Sequence, residues 1–327
     1  MKKKVFRYVF WAAVAAVLVW LCLRNIDWAA FWTALQQCRW SYVLLSMFLG
    51  VASLFIRALR WQMLLKPLDP SVSLVTCFNA YNIGMVVNLA VPRAGELAKM
   101  GCVVGHSSKD ADGKRLLGAD KVIGTIVTER VWDLLFGGII TLIVVLCCWG
   151  DFGDFVSGLF GGGSALSWVL WGVLALVAVL IPLLWFLRKK GGFWARTWEF
   201  VAGIGKGIGS FRHMEKGWLF LLYTLIIWTF YWLMSACILW ALPLLEERTL
   251  LDALFLSLIG TISTVVPVPG GFGVYHGMVA GAMQAVWKVP LDLSMVYAVL
   301  NHESQVIVHA LCGLGSYLHE SFFRRGR

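Results

Sequence analysis

Three stretches place charged or helix-breaking residues inside otherwise apolar sequence. The first is Asn88-Leu89-Ala90-Val91-Pro92-Arg93-Ala94-Gly95-Glu96. Arginine carries a planar, permanent charge whose fork fits phosphate or carboxylate. Arg93, beside Asn88, is therefore a candidate for holding an anionic headgroup; the other reading is that it snorkels at the base of a hairpin. Glu96 lies three residues on and on a helix can pair with Arg93.

The second stretch is Thr128-Glu129-Arg130-Val131-Trp132-Asp133. Glu129 and Asp133 are four apart and share a helical face, and Arg130 reaches Asp133 at spacing three. A charge at the centre of a membrane helix costs about 2.5–3.5 kcal/mol. These three are expected to face a bundle interior, either tuning the charge of a cargo site or forming a structural ion cluster. The third stretch is Pro267-Val268-Pro269-Gly270-Gly271-Phe272-Gly273, followed by His276. Pro92, Pro267 and Pro269 each remove a backbone donor, and Gly270, Gly271 and Gly273 permit positive φ. Two such breaks meeting near the midplane would present half-helix N-termini to an anion; the plainer alternative is a loop between short spans. Glu303 with His302 can relay protons, while Asn301, Gln305 and His309 beside them suit polar helix packing equally well.

Soluble-enzyme chemistry is not expected. Gly270-Gly271-Phe272-Gly273 is not a phosphate-binding GxGxxG in a βαβ setting, and His276, His302 and His309 lack the spacing of a metal site. The reading is no enzyme, no catalytic residue, no metal and no cofactor.

The elements that position these residues follow from composition. Of 327 residues 60% are hydrophobic and 14% charged, against about 45–50% and 25% in soluble domains, so the excess must face lipid. Many of the 18 Trp lie near the ends of apolar runs, as membrane interfaces favour. The net charge of +10 sits in short stretches beside apolar segments, which points to cytoplasmic loops and anionic headgroups rather than nucleic acid. The eight cysteines form no CxxC and read as small buried hydrophobes, although a Cys22–Cys38 bridge is open.

Full spans of about 20 residues are expected at Phe6–Leu23, Ser41–Leu65, Val122–Trp149, Leu166–Leu187, Trp218–Leu242 and Leu293–Leu318. Leu74–Val104 and Leu250–Trp287 are apolar but interrupted. Basic residues at Lys2–Arg7, Arg57–Lys66, Lys109–Lys121, Arg188–Lys216 and Arg324–Arg327 mark the cytoplasmic side, and Gly150–Ser164 has none. All fall on one side if each interrupted region enters and leaves by the same face, as a re-entrant hairpin or as two short spans. The loop Arg188–Lys216, with Phe193, Trp194 and Trp198, is either an interfacial amphipathic segment or a flexible basic loop. The fold class is thus all-α, a polytopic membrane protein with six full spans plus two re-entrant helical hairpins. It is one transmembrane domain, multi-pass in the inner membrane, with both termini cytoplasmic.

The halves 1–155 and 156–327 each read span, span, broken hairpin, span in opposite orientation, the inverted repeat of many transporters. Glu129 follows Pro92 by 37 residues and Glu303 follows Pro267 by 36.

Taken in order, Asn88 through Glu96, Glu129 through Asp133 and Pro267 through Gly273 resemble the lysylphosphatidylglycerol synthase transmembrane region, a flippase-like family, over nearly the whole chain. The resemblance implies an eight-segment inner-membrane fold that handles phospholipid or polyprenyl-linked glycans. In its best-known members the region is fused to a soluble aminoacyl-transferase domain; this chain ends at Arg327 without one, so aminoacylation is not expected. Similar members often carry an acid where this chain has His276, which can titrate near neutral pH.

The expected function is translocation or binding of an anionic phospholipid or lipid-linked glycan. Asn88, Arg93 and the half-helix ends would hold the headgroup, and Glu96, Glu129, Asp133 and Glu303 would tune charge or couple protons. A proton-coupled carrier of a small soluble anion and a membrane scaffold for glycolipid synthesis are the rivals. Self-association into a homo-oligomer stays open.

Overall fold

The computed structural model describes residues 26–91, 94–151, 216–266 and 268–325, with scattered positions between 17 and 24 and between 153 and 192. The expected spans Phe6–Leu23 and Leu166–Leu187 and the basic loop Arg188–Lys216 lie largely outside them. The described chain is helical apart from turns and one isolated bridge, Lys109 to Arg115. It divides into two compact units, Met1–Ile126 with Phe220–Arg327, and Val127–Leu219.

The helices are α1 (Trp28–Gln36), α2 (Trp40–Leu65), α3 (Leu74–Ala90), α4 (Gly95–His106), α5 (Ala119–Cys147), α6 (Gly217–Ala241), α7 (Leu250–Ser263), α8 (Val274–Trp287) and α9 (Leu291–Arg325). α2, α5 and α6 are long and apolar enough to cross a membrane. Their outward residues include Leu44, Phe48 and Phe55 on α2 and Leu134, Leu142 and Leu146 on α5, large side chains that lipid rather than water must cover.

Two details add to the expected elements. The connection after the first span contains α1, which starts because the Asp27 carboxylate accepts from the N–H groups of Ala29 and Ala30. The last expected span, Leu293–Leu318, belongs to a 35-residue helix, α9, that runs well past it. With Glu303, His302, His309, His319 and Glu320 along it, α9 falls outside the set of helices apolar enough to span.

The two interrupted regions are helical pairs. α3 and α4 have 17 and 12 residues, α7 and α8 have 14 each. At 1.5 Å per residue these arms reach roughly 18–26 Å, short of the ~30 Å hydrocarbon thickness. α9 packs against α1, α2, α3 and α8, and the 3-10 turn Pro269–Gly271 touches α3. The two inserts therefore meet.

Close approach in the first unit depends on missing side chains. A methyl group on Gly95 would run into the Gly84 carbonyl and Asn88, and one on Gly313 into Val86. The apolar core beneath them joins Leu54, Ala58, Trp61 and Leu65 of α2 to Cys77, Ala80 and Tyr81 of α3, with Val103, Leu117, Val122 and Val308.

Candidate functional site

The second insert carries the best-defined polar site. Gly270, Gly271 and Gly273 take φ of 60°, 77° and 80°, a region open to glycine at little cost. The tight turn they form directs the Gly270 carbonyl at α9, where His302 Nε2 lies 2.9 Å away. The other ring nitrogen, Nδ1, is 3.0 Å from Glu303 Oε1. His276, at the start of α8, sets its Nε2 3.3 Å from the same Glu303 oxygen and accepts from the Gly273 N–H at 3.4 Å. Tyr275 lies tilted over the His302 ring and its hydroxyl accepts from Asn301 at 2.6 Å.

The donors and acceptors fix the protons. A carbonyl only accepts, so His302 Nε2 carries hydrogen; Gly273 donates to His276 Nδ1, so His276 carries its hydrogen on Nε2. The remaining proton between His302 and Glu303 leaves either imidazolium facing carboxylate or imidazole facing carboxylic acid. The ligating atoms of His276, His302 and Glu303 are close enough to share an ion, yet each histidine nitrogen already has a partner that a proton suits.

The first insert carries its own polar contacts. Asn88 Oδ1 accepts the Gly95 N–H at 2.8 Å, and Glu96 occupies the first turn of α4. The first donor of that helix is thus used internally, and an acid already sits at its positive end. That N–H is therefore taken by Asn88 rather than open to a ligand. Pro92, Arg93 and Pro267 lie outside the described residues. Pro269 opens the 3-10 turn. Glu129 is fully buried, Asp133 partly buried and Arg130 exposed; this trio belongs to the second unit.

Sequence reasoning missed a set of inward cations. The pattern of basic residues assigns Arg57 and Arg60 to the cytoplasmic end of a span without marking them as inward, and Arg60 is fully buried and Arg57 half-buried. Arg57 donates to the hydroxyls of Tyr81 and Tyr231, each at 2.5 Å. Arg60 donates to Thr224 at 3.0 Å and lies over Phe220. Lys99, 3% exposed, holds its ammonium 4.0 Å from the Trp61 ring centre and 4.3 Å from that of Tyr81. Tyr81 thus joins Arg57 and Lys99.

An apolar groove of about 210 Å³ runs between α3 and α9, lined by Ile83, Val86, Val87, Gly313, Leu314 and Tyr317. A wider recess beside the exposed Arg39–Glu246 pair holds none of the residues above. Among the described cysteines Cys38, Cys77, Cys102, Cys148 and Cys237 are buried as small hydrophobes would be, Cys312 is partly buried and Cys147 is exposed, and Cys22 lies outside the described residues.

The family model described as lysylphosphatidylglycerol synthase TM region matches residues 8–313. No curated protein and no solved structure matches.

Proposed function

Because this chain belongs to the lysylphosphatidylglycerol synthase TM region family, we propose that it binds and translocates an anionic phospholipid or lipid-linked glycan. The reading treats it as a transporter rather than an enzyme, multi-pass in the inner membrane with both termini cytoplasmic. The observation that carries it is the burial of Arg57, Arg60 and Lys99 against aromatic rings in a bundle whose outer face is apolar. Charge placed inside a membrane protein is costly and marks an ion or substrate pathway by default.

In this reading α3–α4 and α7–α8 are re-entrant hairpins, a view supported by arms too short to cross with ease. Each hairpin precedes a long helix, α5 or α9, the arrangement an inverted repeat requires. The phosphate of the cargo approaches the cations around Tyr81, an acyl chain lies in the groove between α3 and α9, and the His302–Glu303 pair adjusts site charge. A proton-coupled carrier of a small soluble anion is the second reading, favoured by the proton shared between His302 and Glu303.

Reconstitution tests both. Vesicles holding the protein and a fluorescent anionic phospholipid should expose that lipid to an external quencher faster than empty vesicles. Uptake of a soluble anion with no lipid movement would favour the carrier.

A further inference from the structure

A second cluster of ligating groups lies away from Glu303, near the ends of α4 and α9. Cys102 and His106 are four apart on α4, hence on one face, and Glu320 comes from α9. The Cys102 sulfur, a His106 ring nitrogen and a Glu320 carboxylate oxygen lie within 4.8 Å of one another. Cys102 and Glu320 are each 7% exposed. The exposed loop Lys109–Arg115 follows closely after His106, so water reaches this rim.

The hydrogen bonds around the cluster orient it. His106 Nδ1 lies 2.9 Å from the Cys102 carbonyl, which only accepts, so Nδ1 carries the hydrogen. In the neutral ring the Nε2 lone pair then faces Glu320 Oε2 at 3.0 Å. That oxygen is buried, and the imidazole is the group set against it. Two lone pairs at this separation need positive charge between them. Asn79 Nδ2 donates to the other carboxylate oxygen at 2.9 Å and lies 3.0 Å from His319 Nδ1. A histidine whose far nitrogen is held by a backbone carbonyl, facing a carboxylate held by an amide, is the outer-shell pattern of a metal site. Zinc bonds of about 2.0–2.3 Å set neighbouring ligand atoms roughly 3.3–3.7 Å apart, a spacing the cluster reaches with small side-chain shifts.

We propose that Cys102, His106 and Glu320 bind a thiophilic divalent transition metal of the zinc type, leaving one coordination position open. The ion would fasten the second arm of the first insert to α9. This site stands independently of the lipid reading.

The test uses tag-free, full-length protein purified without chelator, measured for bound zinc and then loaded with cobalt(II). About one metal per chain is expected, with the ligand-field bands of tetrahedral cobalt and a thiolate-to-cobalt charge-transfer band. Cys102→Ser should lose the charge-transfer band, and Glu320→Gln should weaken zinc at least tenfold. Asn79→Ala, which touches only the outer shell, should weaken it about 10-fold or more. Chelator should lower the melting temperature of the wild-type chain and not that of Glu320→Gln. The absence of stoichiometric metal from wild-type protein would overturn the site, leaving a protonated His106–Glu320 pair. A cobalt spectrum unchanged in Cys102→Ser would do so too.

Discussion

The Nε2 atom of His302 lies 2.9 Å from the carbonyl oxygen of Gly270, tying the long helix α9 to a turn of positive-φ glycines. The contact places a titratable ring against the backbone at the break in the second insert. Substitution in that turn separates backbone from packing effects. A methyl on Gly271 would meet the His302 ring at 3.5 Å, ordinary contact, whereas one on Gly270 would strike the Phe272 ring at 2.5 Å. Gly271→Ala should therefore cost only the left-handed backbone penalty, about 1–2 kcal/mol, and Gly270→Ala more. Thermal melting in detergent checks the order.

Glu303 Oε1 lies 3.3 Å from His276 Nε2 and 3.0 Å from His302 Nδ1, so Glu303→Gln keeps the shape but removes the ionisable group that faces both rings. The expected outcome is a folded protein whose lipid movement falls about tenfold or more, the loss that ~1.4 kcal/mol represents. Lipid movement at the wild-type rate would remove Glu303 from the proposed pathway.

Lys99→Met tests the cations separately. Methionine still packs against Trp61 and Tyr81, and the cation–π attraction it removes is worth about 0.5–2 kcal/mol. Retention of anionic lipid by the folded variant is expected to drop, measured as phospholipid co-purified per chain. Wild-type retention with a lowered melting temperature would make Lys99 a structural residue.

Asp69, outside the spanning helices, sets an acid limit. It is fully buried and accepts from Ser71, Ser107 and Ser108, fastening the loop after α4 to the α2–α3 connection. Burial pushes its pKa up, but the hydrogen bonds from Ser71, Ser107 and Ser108 outweigh this and hold it at about 2. The unfolded value is about 3.9, so the stabilisation is complete above that pH and is lost as pH falls toward 2. Its size is on the order of 2 kcal/mol. Asp69→Asn should lower the melting temperature at neutral pH and flatten its fall between pH ~4 and ~2.

Much of the fold was legible because lipid imposes a length rule. Ser41–Leu65, Val122–Trp149 and Trp218–Leu242 read as spans, and helices occupy Trp40–Leu65, Ala119–Cys147 and Gly217–Ala241. The proline–glycine clusters located both breaks, since those residues act on their own backbone. Inward cations were not legible. A basic residue near a helix end reads alike whether it snorkels to water or turns inward, and only the facing Tyr81, Tyr231 and Thr224 decide. Nothing local marks Lys99 as an inward charge. His106 and Glu320 meet only through the packing of α4 near α9, a long-range contact that spacing along the chain does not encode. The short helix α1 was signalled only by Asp27, a capping residue within what read as a connection.

Native mass spectrometry of the protein released from its own membrane tests the central claim most directly, namely that the joined inserts and their buried cations hold an anionic lipid. The account predicts an anionic phospholipid or lipid-linked glycan that stays bound to wild-type protein and is lost from Lys99→Met and Glu303→Gln. Wild-type protein free of lipid, or both variants retaining the same lipid at the same level, would contradict it.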